Sequence, residues 1–297
     1  MKTETGFTRR EALAAGVLLP LLLSGLRGAE AEKSEAATVL ASPRDQRLKF
    51  GVATYSFRQL SLDATIAALT KLQVTSVSAF RNHLPLLGGS PEACRSAAEQ
   101  FRHAGITIAS TGVVKFTRDE AAARQAFECA RAAGLSLMAC TLAEKPDSRT
   151  FGILEGLVRE YQIRLAIHNH GPEDPHYASP YDVWKVVESL EPGIGLCLDV
   201  GHATRAGVNV PEAVLHCRSR LYDVHLKDTL SPNGDKKDLG VDLGYGRVDV
   251  RGIIAALVQI GYTGQVGLED EVISPDPLPG VATSYGYMRG VLAGLPA

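Results

Sequence analysis

Eight short apolar or β-branched runs, each followed by a stretch with helical apolar spacing, constrain this chain more than any other feature. They are Phe50–Ser56, Val74–Phe80, Ile106–Gly112, Leu135–Thr141, Ile163–His170, Ile194–Asp199, Tyr222–Lys227 and Gln265–Asp270. Leu62, Ile66, Leu69 and Leu72 mark the first helical face. The punctuation agrees. Ser90-Pro91-Glu92 supplies an N-cap, a proline at the first helical position and an acidic first turn, and Gly105 closes that helix. Gly134 ends a helix over Thr117–Ala133; Ser179-Pro180 and Val210-Pro211-Glu212 open later helices, and Asp249 caps another. When every crossover is a helix, the strands run parallel. Eight such units in roughly 245 residues match the usual size of a closed barrel. An open dinucleotide-binding sheet is excluded, because Tyr55-Ser56-Phe57-Arg58-Gln59 after the first strand contains no glycine. The expected fold is α/β, a single (β/α)8 TIM barrel over residues 49–297.

Barrels of this kind carry their active sites at the carboxyl ends of the strands. Strand five ends in His168-Asn169-His170, followed by Gly171-Pro172-Glu173-Asp174. Strand six ends in Asp199-Val200-Gly201-His202, strand seven in Asp223-Val224-His225-Leu226-Lys227-Asp228, and strand eight in Glu269-Asp270-Glu271. Imidazoles and carboxylates on neighbouring strands suit one divalent ion, Mn2+, Zn2+, Co2+ or Fe2+, with positions open to substrate oxygens. Each residue also has a plainer role to set against this. His168 and His170 point the same way on their strand and serve equally as packed structural residues. Asp199 can simply cap the following helix, and Glu269 competes with Asp270 and the co-facial Glu271. His83, in Asn82-His83-Leu84-Pro85-Leu86, is a candidate for reaching substrate from the second loop, against an ordinary role in that loop. Gly240 to Gly246 reads as a turn-rich lid, not a phosphate cradle, since no helix begins within it.

The segments Leu198-Asp199-Val200-Gly201-His202, Asp223-Val224-His225-Leu226-Lys227-Asp228 and Gly261-Tyr262-Thr263-Gly264, with Glu269 five residues on, resemble the signatures of xylose isomerase-like sugar isomerase and epimerase barrels. The resemblance runs from Phe50 to about Leu295. It implies a metal site made by an Asp, a His and two Glu, which places ligands at Asp199, His225 and Glu269, and substrate binding at His202. The strand-five Glu has no match. Register with relatives reading Glu-Asn-His-Gly puts His168 there, with Glu173 as the other candidate and as a substrate contact. The implied chemistry is proton transfer next to a carbonyl through an enediolate, with Glu269 or His170 as base and Lys227 or His202 steadying the oxyanion. An imidazole in place of a carboxylate weakens a two-base epimerisation relative to a lyase, hydratase or one-base isomerase step, for instance on 3-keto-glycosides and their enol products. A non-catalytic carbohydrate-binding barrel and an endonuclease IV-like enzyme are the other classes. The latter needs extra His ligands on early strands, which Ile106–Val114 lacks.

The amino-terminal segment carries an address. Thr8-Arg9-Arg10-Glu11-Ala12-Leu13 precedes an apolar run to Leu26, and Ala29-Glu30-Ala31 is a small-x-small cleavage site. Residues 1–31 are expected to be a twin-arginine-type leader and residues 32–48 a polar linker. An uncleaved anchor is the alternative, although the run is short of the ~20 residues that span a bilayer. The expected location is periplasmic, with export machinery as a partner and no membrane contact after cleavage. Five scattered cysteines without CxxC spacing read as small buried hydrophobes, which suits export of an already folded protein. A formal charge of −2 with no basic stripe argues against nucleic acid. Lack of a phosphate loop points to a small non-phosphorylated carbohydrate. Self-association is left open.

Overall fold

The computed structural model describes residues 47–143 and 147–296. The expected leader over residues 1–31 and the expected linker over residues 32–48, except for its last two residues, lie outside the described residues. Nine parallel strands form one sheet: β1 (Lys49–Ala53), β2 (Ser76–Ala79), β3 (Thr107–Thr111), β4 (Val114–Phe116), β5 (Leu137–Leu142), β6 (Arg164–His168), β7 (Ile194–Asp199), β8 (Leu221–Leu226) and β11 (Gln265–Leu268). Their order is β3-β2-β1-β11-β8-β7-β6-β5-β4. A small antiparallel pair, β9 (Asp228–Thr229) with β10 (Gly240–Val241), stands apart.

Eight barrel positions are filled, as expected, but the third is split. Its first half, β3, pairs with β2, and its second half, β4, pairs with β5. Thr111 bridges the gap: its hydroxyl accepts from the Ala139 N–H at 3.1 Å. At the crossing, a Cβ on Gly112 would lie 3.1 Å from Phe80 Cα, so any side chain there would push Phe80 aside by a few tenths of an ångström.

The outer layer is α1 (Leu62–Lys71), α2 (Pro91–His103), α3 (Glu120–Ala132), α4 (Ser148–Tyr161), α5 (Pro180–Val187), α6 (Val200–Arg205), α7 (Val210–Cys217), α8 (Val250–Gln259) and α9 (Leu278–Ala293). Side-chain caps set several starts. Ser90 accepts from Ala93 N, Asp249 from Gly252 N, and Ser179 forms a reciprocal capping box with Asp182. α3 begins three residues later than its sequence pattern suggests, because Asp119 takes the N–H groups of Ala121 and Ala122. α6 is an additional short helix directly after β7.

Strand alternation divides the core into two layers. Leu165, Ile167, Leu196 and Leu198 pack in the large cluster shared with the helices, whereas Leu137, Ala139, Ala166 and Cys197 form a separate buried cluster. Small residues in the second cluster leave room for polar side chains on the same strands. All five cysteines are buried and free.

Candidate metal centre

Four adjacent strands, β6-β7-β8-β11, bring His168, Asp199, His225 and Glu269 together. Parallel register does most of this, pairing His168 with Cys197, Asp199 with His225, and Leu226 with Leu268 one residue before Glu269. One candidate ligand atom from each residue lies within 4.8 Å of all the others. His168 Nε2 is 3.3 Å from Asp199 Oδ2, and His225 Nδ1 is 3.5 Å from Glu269 Oε2. All four side chains are buried.

Their polar atoms are left over. Both nitrogens of His168, both of His225 and Asp199 Oδ2 make no hydrogen bond among the described residues. Asp199 Oδ2 has the Lys227 ammonium 3.0 Å away, but each buried polar atom without a partner costs about 1–3 kcal/mol, so four imidazole nitrogens in one place need a common explanation. Imidazole nitrogens and carboxylate oxygens facing one point are the donor set of a divalent cation, and these residues fit one.

Lys227 lies beside that point. Its Nζ is 3.0 Å from Asp199 Oδ2, 3.0 Å from Glu271 Oε1 and 3.6 Å from Glu269 Oε2. Gly201 makes room for it, since a Cβ there would fall 2.7 Å from Lys227 Cγ. Burial opposes the ammonium charge, but Asp199, Glu271 and Glu269 outweigh it and hold Lys227 well above its ordinary pKa. Burial likewise raises Asp199, yet His202, Lys227 and His168 pull it well below the usual carboxylate range. Glu269 is lowered to about 2, burial being overcome by His225 and Lys227. For Glu271 burial wins, and its pKa is raised.

Asp199 has a second task. Its Oδ1 accepts from His202 N at 2.8 Å and caps α6, whose first turn carries His202 beside the site. Lys227 Nζ approaches His202 Nε2 to 2.9 Å and Arg205 Nη2 approaches Nδ1 to 2.6 Å. Burial, with Lys227 and the neighbouring imidazoles, holds His202 well below the ordinary histidine value, Asp199 opposing. Arg205 is itself fully buried. It grips both carboxylate oxygens of Glu173 at 2.9 and 2.6 Å and pairs with Asp238 at 3.3 Å.

Two residues expected at the substrate are engaged elsewhere. Glu173 is committed to Arg205, so it steadies His202 through that arginine and neither completes the metal set nor lines the pocket. His83 is buried at 1% exposure, with Nδ1 on Thr54 Oγ1 at 2.9 Å and Nε2 on Thr65 Oγ1 and the Leu60 carbonyl at 3.1 and 3.0 Å. Every ring nitrogen is used, and His83 pins the second loop to α1. The Gly240–Gly246 stretch also differs from a lid. Asp228 Oδ2 accepts from Gly244 N and Gly246 N at 2.9 Å each, and Oδ1 from Val248 N at 3.0 Å. Only a glycine readily takes the φ of +95° at position 244.

A pocket of about 240 Å³ is lined by His168 and Glu269 of the cluster. His170, His202 and Glu271 line it as well. Tyr55, Phe80 and Arg81 line it too, residues that a reading of only the ionisable ends of strands five to eight does not reach. Their signal was available, for they directly follow β1 and β2. Tyr55 meets Phe80 edge-on at 4.8 Å, and the Arg58 guanidinium covers Tyr55 at 4.7 Å.

A family model described as xylose isomerase-like TIM barrel matches residues 66–290. Among curated proteins, "Probable endonuclease 4" of Mesomycoplasma hyopneumoniae is 35% identical over 81 residues, which cover 24% of this chain and 29% of that protein. The chain thus spans under a third of that relative's length. Among solved structures, the IOLI protein with a binding zinc atom superposes with a TM-score of 0.68 at 18% identity, covering 83% of this chain and 98% of its own. A D-tagatose 3-epimerase-like protein gives 0.65 at 17%, covering 83% and 97%. The 3-keto-D-glucoside 4-epimerase YcjR of E. coli gives 0.64 at 15%, covering 82% and 99%. At these identities the likeness establishes the fold.

Proposed function

The chain belongs to the xylose isomerase-like TIM barrel family, and from that premise we propose that it is a metal-dependent isomerase or epimerase of a small, non-phosphorylated sugar or keto-sugar. One observation carries the proposal: ligand atoms of His168, Asp199, His225 and Glu269 converge on one point, both imidazoles without a hydrogen-bond partner among the described residues, beside a pocket that His168 and Glu269 line together with Tyr55 and Phe80. These four would hold one divalent ion, Mn2+, Zn2+, Co2+ or Fe2+. Bound there, the ion polarises a carbonyl and makes the neighbouring C–H more acidic.

The remaining work falls to side chains. Glu269 is held ionised at neutral pH and faces the pocket, so it is the base that takes the proton from carbon. The C–H electron pair moves toward the carbonyl oxygen, and the Lys227 ammonium stabilises the charge that forms there. His170, exposed at the pocket mouth, or Glu269 itself returns a proton to the enediolate. Tyr55 and Phe80 offer apolar faces to the C–H face of a sugar ring, and Arg81 offers donors to its hydroxyls.

A lyase or hydratase acting on 3-keto-glycosides or their enol products is the second reading. His168 favours it, because no carboxylate stands opposite Glu269 at the strand-five position. The net charge of −2 and the lack of a basic stripe weigh against a DNA substrate. The leader supports export, and replacing Arg9 and Arg10 by Lys should then retain the protein in the cytoplasm; unchanged export would refute it.

Incubating the protein with free and 3-keto sugars in D2O and added Mn2+, Zn2+ or Co2+ tests the proposal by NMR. Deuterium should enter the carbon next to the carbonyl, and chelation should stop it. An isomerase leaves composition unchanged apart from the label, whereas elimination or hydration changes it by a leaving group or a water. Turnover indifferent to chelation overturns the metal-dependent reading.

A further inference from the structure

Beneath the ligand cluster, the barrel interior holds a line of polar side chains that the proposed chemistry does not use. Gln265, at the start of β11, sends its Nε2–H to Ser78 Oγ at 2.8 Å. Ser78 and Ser110 share a hydrogen bond at 2.9 Å, and the Ser110 hydroxyl donates to Asp223 Oδ2. Gln265 Oε1 in turn accepts from the Ser76 hydroxyl. Direction along the line is forced. An amide nitrogen only donates, so Ser78 accepts from it and donates to Ser110, and Ser110 donates to the carboxylate. Every hydrogen points along the line toward Asp223, which ends it as acceptor.

The sequence makes room for this line. A Cβ at Gly51 would lie 2.6 Å from the Ser76 carbonyl oxygen and overlap the Gln265 side chain. One at Gly267 would lie 3.2 Å from Gln265 Nε2 and 3.4 Å from Ser78 Oγ. Two glycines on neighbouring strands therefore clear space for polar groups in a barrel interior normally filled by branched apolar side chains.

Asp223 is fully buried, with Oδ1 on Val224 N at 3.0 Å and Oδ2 on Ser110. The nearest imidazole is His225, whose Nε2 stands 3.9 Å from Asp223 Oδ2 and has no hydrogen-bond partner. Its other nitrogen, Nδ1, faces Glu269. A metal-binding histidine generally gives its second N–H to a carboxylate or carbonyl, which fixes the tautomer and the ring orientation. We infer that Asp223 is a positioning residue for His225: its carboxylate, 3.9 Å from Nε2, favours the ring proton on that nitrogen, so that Nδ1 presents its lone pair to the cation, and the Gln265–Ser78–Ser110 line holds Asp223 in place. The inference rests on the metal reading above.

Cation affinity tests it directly. The full chain, its Asp223→Asn and Ser110→Ala variants, and Cys197→Ala (whose thiol is the other group beside His225) are titrated with Co2+ and Zn2+ in competition with a chelator. The Co2+ ligand-field spectrum is recorded for each, and circular dichroism checks the fold. Asp223→Asn should bind 10–100-fold more weakly with an altered Co2+ spectrum, and Ser110→Ala should weaken binding less, in the same direction. If Asp223→Asn fails to fold, Ser110→Ala decides by the same readout. Wild-type affinity and spectrum in both variants overturn the inference, as does weakening confined to Cys197→Ala. Wild-type protein that takes up no cation overturns the metal reading and this inference with it.

Discussion

The molecule buries histidines in two places, and the contrast separates a structural imidazole from a ligand. His83, beside β2, is 1% exposed and His168, at the end of β6, is 2% exposed. Both follow barrel strands and sit near the same pocket. Their partners differ completely. The two nitrogens of His83 meet Thr54, Thr65 and the Leu60 carbonyl, whereas those of His168 make no hydrogen bond. Burial and strand-end position are common to both; unspent hydrogen-bonding capacity belongs to one. That capacity is what we propose a cation takes up.

The largest effect that can break this comparison lies on the ligand side. Glu269→Gln keeps the side-chain size and removes the base, so solvent exchange at the substrate carbon should fall by about 10²–10⁴-fold, measured by the NMR label rate. Exchange at the wild-type rate would return Glu269 to the solvated charges. His83→Ala should leave the same rate within a few-fold.

Cation binding sharpens the contrast at intermediate scale. An ion that binds only the folded state at a hundred times its Kd stabilises it by about 2.7 kcal/mol. Wild type and His83→Ala should both show the full rise in melting temperature, and His168→Ala or His225→Ala should lose most of it. In ion-free protein the order reverses. His83→Ala strands Thr54, Thr65 and the Leu60 carbonyl and should cost about 1–3 kcal/mol, measured by urea unfolding. His168→Ala strands no hydrogen bond and should cost less.

The smallest effect is a pH dependence. Burial lowers the pKa of His83, the Leu60 carbonyl partly opposing, so its ring is neutral in the folded protein. An unfolded histidine gains its proton below pH ~6.5. Stability from this site is therefore full above that pH and declines as pH falls through it, by at most about 1.4 kcal/mol per pH unit. The stability difference between wild type and His83→Ala should shrink from pH 7.5 to pH 5.5. A difference independent of pH would mean that His83 is not held neutral.

Much of the barrel was readable in advance because its determinants are local. Period-two apolar runs, Ser90-Pro91 and Ser179-Pro180 starts and glycine stops each act within a few residues. The split of the third strand is not readable in the sequence, since it depends on Thr111 meeting Ala139 on the next barrel strand, 28 residues away. At the site, His168, Asp199, His225 and Glu269 were marked by strand-end position and by their resemblance to known signatures. The aromatic wall of Tyr55 and Phe80 was passed over because attention to ionisable residues ignores apolar binding surface. Glu173 was assigned to ligand or substrate because nothing nearby in sequence shows its arginine, which lies 32 residues away.

What the sequence determined by itself is the set of groups offered: eight parallel strands, their carboxyl ends, and the imidazoles and carboxylates placed there. Strand alternation also settled which of them share a face, because side chains two apart point the same way. The tertiary structure alone decided which of those groups were already spoken for. Arg205 claims Glu173, Thr54 and Thr65 claim His83, and Gln265 reaches Ser78 across 187 residues of chain. Hydrogen bonds form between atoms close in space, and closing a barrel brings distant segments together in a register that no local pattern contains. Among the groups left without hydrogen bonds after that closure are both imidazoles at the site, His168 and His225, which we propose a cation engages.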